Sequence, residues 1–238
     1  MAAVMSLGIF GGNIPEEPAR PDANTVTAYS TADADYTLGI DAGNEIHDIS
    51  DLLFGIFFED INFAADGGLY AEMVLNRSFE FTEIASNDAL HGWNTVGGAE
   101  VEVCNENGLN KNNTNYIVIK NNSDTPSGVA NVGFLDGMSI ENGKNYRFSV
   151  YAKGLDGYNG KLYAKLMSGS ECVGEGVIDA ISSEWSKYNL TLNCTKTDFE
   201  NATLQVLADN GKVALDMISL FPEDTFKGRE NGMRKDLG

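Results

Sequence analysis

The sequence predicts a mainly β protein whose principal part is an antiparallel β-sandwich of the jelly-roll type. Two observations carry this prediction: short runs of alternating apolar and polar residues recur across residues 79–222, and turn-forming sequences separate them at nearly regular intervals. The chain of 238 residues is 42% hydrophobic, so it has enough apolar side chains for a large buried core. We therefore expect residues 79–222 to form one sandwich domain.

Seven runs within this region show the period of two that is typical of strands. Turn sequences lie between them, among them NNSDTPSG at 121–128 and ENGKN at 141–145. The predicted strands cover residues 99–103, 115–120, 146–154, 161–167, 188–193, 202–208 and 212–221.

The segment before the sandwich, residues 36–78, has a different pattern. Residues 36–41 and 52–63 favour strands, and the second is a continuous apolar run of the kind that is buried on both faces of a sheet. Apolar residues at helical spacing follow within residues 66–76. They are Leu69, Tyr70, Met73 and Val74. The pattern predicts a strand, a loop and a helix.

The N-terminal residues 1–35 predict a leader remnant and a linker, since a short apolar run is followed by a Pro-rich polar stretch. A secretory signal also needs a basic start, and no Lys or Arg precedes Arg20. We expect a secreted, extracellular protein whose signal peptide is incomplete. A loose N-terminus with a few apolar residues is the alternative.

The charge balance excludes several classes of partner. Sixteen Lys and Arg residues against thirty-five Asp and Glu residues give a net charge of −19, which repels nucleic acid and anionic membrane surfaces. No apolar run reaches the roughly 18 residues of a transmembrane helix. Neutral ligands such as sugars remain compatible with this charge.

The chain lacks the residues of several common reactive sites. Its cysteines, Cys104, Cys172 and Cys194, form no C-x-x-C pair, so we expect no structural zinc, and one disulfide plus one free thiol is compatible with their number. His47 and His91 are lone imidazoles without a G-x-S-x-G sequence, which argues against a serine-type triad.

Three segments, residues 53–81, 128–154 and 219–238, resemble the N-terminal part of glycoside hydrolase family 51 α-L-arabinofuranosidases, with an inserted family 4-like carbohydrate-binding module. The resemblance implies that residues 36–78 hold orphan strands and the first β/α unit of a catalytic TIM barrel. It also implies that residues 223–238 are a truncated return to that barrel. We therefore expect an incomplete β/α fragment of a TIM barrel beside the sandwich.

The resemblance implies polysaccharide as the partner and non-catalytic binding of a plant cell-wall polysaccharide such as arabinoxylan as the function. A TIM barrel needs about 250 residues, and in the family the two catalytic glutamates lie on later barrel strands. We therefore expect no catalytic residue here and no activity from this chain alone. Two alternatives stay open: a ligand-free scaffold fragment, and an arabinofuranosidase that is active only when the missing strands are supplied.

Glu59 matches a family position that binds arabinose, and the resemblance implies a substrate-binding role for it. A solvated acid after an apolar strand is the alternative. The apolar run at residues 54–58 would be an exposed edge without its barrel neighbours, and such an edge favours self-association.

Strand alternation predicts a sugar platform on the sandwich. Arg147, Tyr151 and Lys153 share one face of their strand, where a ring can stack on a sugar and two cations can donate hydrogen bonds. The same logic adds Asn131 and Gln205 as further polar contacts. Trp93 is a candidate for a second platform, and a packing tryptophan is its alternative.

Asp216 lies in a strand that is apolar on both faces, and strict alternation places it with Ile218 and Leu220. A buried carboxylate needs a partner, and Ca²⁺ with oxygen ligands is one solution. The resemblance implies a structural calcium between Glu80 and Asp216. A salt bridge, or backbone hydrogen bonds at a strand kink, is the alternative.

Overall fold

The computed structural model describes residues 3–5, 38–40, 48, 50, 53, 55, 58–81 and 88–237. The chain divides into two compact units, residues 1–57 and 58–238. In the first unit, strand β1 (Ala3–Met5) pairs antiparallel with strand β2 (Leu38–Ile40). The rest of the predicted leader and linker lies outside the described residues.

Eleven strands are found in the described part of the second unit. They are β3 (Trp93–Val96), β4 (Glu100–Cys104), β5 (Tyr116–Asn121), β6 (Ser127–Asn131), β7 (Met138–Ile140), β8 (Asn145–Leu155), β9 (Leu162–Ser168), β10 (Glu171–Ile178), β11 (Ser186–Asn193), β12 (Asp198–Ala208) and β13 (Gly211–Pro222). All their pairings are antiparallel. Their number and pairing confirm the mainly β fold.

These strands form two sheets that pack face to face. The first sheet has the order β10-β9-β12-β6-β3, with β7 also paired to β12, and the second has the order β11-β8-β13-β5-β4. One core contains side chains of both sheets, for example Phe148 of β8 and Leu204 of β12. The burial alternates strictly along β8, as expected for a strand with one face on the core. The predicted antiparallel sandwich is confirmed.

A bulge between Asp216 and Ser219 interrupts the pairing of β13 with β8. Met217 adopts a positive φ of 48° within it. Because a bulge adds one residue to a strand, the alternation shifts. Leu215 before the bulge and Ile218 after it both belong to the core, and Asp216 lies on the opposite, outer face of the second sheet. The expectation that Asp216 shares a face with Ile218 is therefore wrong.

Residues 69–80, called the strap below, do not form the predicted helix. Their backbone donors bind other segments: Met73 N donates to Leu220 O at 2.9 Å, and Ala71 N donates to Gly232 O at 3.1 Å. These tertiary hydrogen bonds replace the intrahelical ones, so the helical spacing is overridden. Within the described residues, the helical segments are two 3-10 turns, Phe226–Gly228 and Lys235–Leu237.

The predicted strand at residues 52–63 lies partly outside the described residues, and so does most of the apolar edge at 54–58. The described positions of this segment, including Phe58 to Phe63, carry no strand. No helix among the described residues is long and apolar enough to cross a membrane. Cys104, Cys172 and Cys194 are free thiols, so the disulfide that their number allowed is not formed.

Candidate functional site

The outer face of the second sheet carries the predicted cationic and aromatic residues. Arg147, Tyr151 and Lys153 alternate with core residues along β8 and are all half-buried. On the neighbouring strand β11, Lys187 lies opposite Tyr151, and Thr191 lies opposite Arg147. The pairing therefore places a double row of polar side chains on one face.

A hollow of about 190 Å³ lies on this face. Residues 230–231 of the C-terminal segment also line it. Arg147 is held at its border, because its guanidinium lies 3.6 Å from Glu223 Oε1. The polar residues around the hollow are Arg147, Ser149, Lys187, Asn189, Thr191, Glu230 and Asn231. They offer both donors and acceptors to a hydroxylated ligand.

Gln205 and Asn131 are not part of this face, because β12 and β6 belong to the first sheet. Gln205 is half-buried on the outer side of that sheet, opposite Lys165. Asn131 is fully buried: its Oδ1 accepts from Leu75 N at 3.1 Å and its Nδ2 donates to Leu75 O at 2.9 Å. The expectation that these two residues join the β8 platform is wrong, and Asn131 instead fixes the strap.

Trp93 and Glu59 also lie away from the platform. Trp93 is only 6% exposed, its Nε1 donates to Asn76 O at 3.0 Å, and its ring centroid is 5.4 Å from that of Phe79. It is a packing residue in this structure and presents no ring for stacking. Glu59 is exposed in a segment without strand structure, and the structure does not bring it to the other predicted residues.

The two predicted metal-binding acids have separate hydrogen-bond partners. Asp216 is buried, and it accepts from Met217 N at 2.6 Å and from Asn113 Nδ2 at 2.5 Å. Glu80 accepts from the backbone and side-chain nitrogens of Asn115 at 2.9 and 2.8 Å. Burial, with a smaller contribution from the nearby negative charge of Glu80, raises the pKa of Asp216 from 3.8 to about 7.

This arrangement fits the chemistry of Ca²⁺. Within the described part of the chain, neither Glu80 nor Asp216 forms an ion pair with Lys, Arg or His, so a buried carboxylate lacks a positive partner. Carboxylate and amide oxygens are the ligands that Ca²⁺ prefers. The described residues contain no group of three or more His, Cys, Asp or Glu residues suited to a metal. Backbone or water oxygens would therefore complete the coordination. The amides of Asn113 and Asn115 turn their nitrogens toward the acids, and their oxygens would contribute only after the amide groups turn over.

Glu72 is a buried acid that the sequence analysis did not single out. Its Oε1 accepts from Met73 N, Val74 N and Leu220 N, each at 3.0 Å. Its Oε2 accepts from Ser219 Oγ and lies 3.5 Å from the guanidinium of Arg77. Burial raises the pKa of Glu72. An acid flanked by apolar residues, in the run Leu69 to Leu75, was the signal that could have drawn attention to it.

A family model described as a carbohydrate binding domain matches residues 71–212, which is more than half of the chain. The chain belongs to this family of carbohydrate binding domains. The match includes residues 71–80 of the strap and strands β3 to β12 of the sandwich, and it ends at the start of β13.

The chain is also similar to arabinofuranosidases. It is 39% identical over 215 residues to an extracellular exo-α-L-arabinofuranosidase of Streptomyces chartreusis, covering 90% of this chain and 25% of that protein. It is 33% identical over 218 residues to α-L-arabinofuranosidase 2 of Arabidopsis thaliana, and the alignment covers 86% of this chain and 32% of that protein. The solved structure of an arabinose-bound MgGH51 α-L-arabinofuranosidase matches with a TM-score of 0.70 and 28% identity. The match covers 82% of this chain and 33% of that structure's chain.

These findings confirm the resemblance to family 51 arabinofuranosidases. The chain spans only about a quarter to a third of the length of the curated relatives described above.

Proposed function

We propose that this domain binds plant cell-wall polysaccharide, such as arabinoxylan, and does so without catalysis as part of an α-L-arabinofuranosidase. The match of residues 71–212 to a carbohydrate binding domain carries the proposal. The names of the relatives support a substrate that contains arabinose. The net charge of −19 suits a neutral polymer better than a polyanion. Secretion is part of the proposal, because one relative is named an extracellular enzyme.

The outer face of the second sheet is the proposed site. Tyr151 provides a half-exposed ring, and Lys153 is its neighbour on the same face. Ser149, its neighbour on the other side, and Arg147 beyond it line the polar hollow. An aromatic ring can pack on the apolar face of a sugar while neighbouring cations donate to its hydroxyl groups.

Calorimetric titration of arabinoxylan, xylan, arabinan and β-glucan into the full chain tests this proposal. We expect binding to at least one polymer and a loss of about fivefold in affinity in Tyr151→Ala, since a stacked ring contributes on the order of 1 kcal/mol. Tyr163→Ala is the matched control, because Tyr163 is a half-buried tyrosine on the outer side of the first sheet. Undetectable binding to all four polymers would leave the scaffold function instead.

We propose in addition that Glu80 and Asp216 hold a structural Ca²⁺. The buried, unpaired carboxylate of Asp216, the acid beside it and the amide groups of Asn113 and Asn115 support this. The ion would neutralise both acids and fix the start of the sandwich to β13.

A further inference from the structure

A cleft of about 760 Å³ lies next to the hollow. It is lined by the start of the strap, by the β6–β7 loop and β7, by the segment that enters β8, and by the C-terminal segment after β13. Ligand pockets usually measure about 300–1,000 Å³. We infer that this cleft and the hollow are neighbouring subsites of one elongated path for a neutral oligosaccharide. The inference rests on the proposed carbohydrate binding and extends it to a second surface.

Exposed apolar side chains mark the cleft as a binding surface. Phe199 is 65% exposed, Tyr70 is 44% exposed, and Leu135 is 88% exposed, and all three line it. Clustered exposed apolar residues are typical of interaction sites. Two aromatic rings on one cleft provide stacking surfaces of the kind that sugars use.

The wall of the cleft is fixed before any ligand binds. Phe134 packs edge-on against Phe63 with ring centroids 5.3 Å apart. The Phe134 ring also covers Gly67, where a Cβ atom would lie only 2.4 Å from the ring. The φ of 79° at Gly67 likewise suits no other residue well. The loop that carries Phe134 is held by Asn131, whose Oδ1 accepts from Gly133 N at 3.0 Å.

The basic residues of the C-terminal segment that line the cleft are already paired with acids. Lys235 binds both oxygens of Asp224 at 2.9 Å, and Arg234 pairs with Asp236 at 2.5 Å. Within each pair the two charges neutralise each other, and hydrogen-bonding groups remain at the rim of the cleft. A hydroxylated ligand can use such groups without bringing its own charge.

Glu223 joins the two subsites. Its Oε2 accepts from Asn145 Nδ2 at 2.9 Å on the cleft side, and its Oε1 lies 3.6 Å from Arg147 on the hollow side. Asn145 and Arg147 are two residues apart on β8, so their side chains point to the same face about 7 Å apart. One polysaccharide chain can therefore pass from the cleft over Glu223 to the hollow.

The test is a length series of xylo- and arabino-oligosaccharides, from disaccharide to hexasaccharide, titrated into the full chain. We expect the affinity of the wild type to rise at least tenfold with length. Phe199→Ala should lower the affinity for the hexasaccharide about fivefold, since it removes a stacking ring. Asn189→Ala, in the hollow, should lower it as well, and Tyr163→Ala should leave it unchanged. Phe199 and Asn189 are exposed, so both variants should keep the wild-type melting temperature.

Other outcomes overturn the inference in different ways. If Phe199→Ala binds the hexasaccharide as the wild type does while Asn189→Ala does not, the hollow acts alone. If the wild type forms dimers that Phe199→Ala abolishes, the cleft is the seat of a second copy of the chain. If the wild type binds no oligosaccharide and none of the four polymers, the proposed function fails together with the inference.

Discussion

Glu72 and Asp216 are both buried carboxylates next to the bulge of β13, and their surroundings differ sharply. Glu72 receives three backbone N–H groups, a serine hydroxyl and the charge of Arg77. Asp216 receives one backbone N–H and one amide, and its charged neighbour is another acid, Glu80. The fold therefore provides Glu72 with hydrogen-bond donors and a nearby cation, and it provides Asp216 with no positive charge.

The difference separates two uses of a buried acid. The hydrogen bonds of Glu72 tie the strap to the strand after the bulge, so this acid acts as an internal fastening. Asp216 has spare acceptor capacity beside a second carboxylate, which is the situation in which an added cation is most stabilising.

The largest expected effect is the loss of the Glu72 carboxylate. Glu72→Ala leaves the backbone N–H groups of Val74 and Leu220 and the Ser219 hydroxyl without this partner, which should cost about 3–5 kcal/mol of unfolding free energy. Met73 N keeps its hydrogen bond to Leu220 O. Urea denaturation measures this loss. The control is Glu223→Ala, whose half-exposed carboxylate should contribute about 1 kcal/mol or less. If both variants lost the same unfolding free energy, the hydrogen bonds of Glu72 would not stabilise the strap more than an exposed ion pair does.

The next effect concerns calcium. If Glu80 and Asp216 hold Ca²⁺, the ion at a hundredfold excess over its Kd should raise the unfolding free energy by about 2.7 kcal/mol, because it binds only the folded state. Asp216→Asn should abolish this gain, and Asp179→Asn, at an exposed site, should keep it. Differential scanning calorimetry with calcium and with chelator measures both. An unchanged melting temperature of the wild type on chelation would contradict the calcium site.

The smallest expected effect is a pH dependence in the presence of chelator. The folded-state pKa of Asp216, about 7, lies above its ordinary value of 3.8, so the folded chain keeps a proton that the unfolded chain releases. The stabilising contribution is complete below about pH 4 and is lost as the pH rises through about 7. At about 1.4 kcal/mol per pKa unit, this shift corresponds to roughly 4 kcal/mol at most. Relaxation of the surroundings and entry of water on ionisation should reduce the loss to about 2 kcal/mol.

Asp216→Asn isolates the contribution of Asp216 to the pH dependence of stability, since it removes the titrating group and leaves the other acids unchanged. The difference in melting temperature between the variant and the wild type should grow from pH 4 to pH 8. If the two melting temperatures changed with pH in parallel, the pKa of Asp216 in the folded chain would not be raised, and this prediction would be wrong.

Strand alternation predicted most of the sandwich and the composition of one face. The run at 146–154 became β8, and its outward residues lie where the alternation placed them. Strand β10 was missed because Gly174 and Gly176 interrupt its apolar pattern, and at Gly176 a Cβ atom would lie 3.0 Å from Leu190 and Leu192. The helical spacing of the strap is misleading because the backbone partners of Ala71, Met73 and Arg77 are more than 140 residues away in the sequence.

The candidate site was predictable only strand by strand. Alternation shows which side chains of one strand share a face, but it does not show which strands share a sheet. Gln205 and Tyr151 were grouped for this reason, although their strands lie in opposite sheets. The partners of Glu72 depend on the bulge, and a positive φ at a methionine gives no sequence signal.

The bulge at Met217 also decides which side chains of β13 face the core. Leu215 and Ile218 are three positions apart, so a strand that kept all its residues but lost the bulge would place them on opposite faces. Either Val213 and Leu215 or Ile218 and Leu220 would then face water. The cost of exposing two large aliphatic side chains therefore holds the bulge in place, and both the interior and the orientation of Asp216 depend on it.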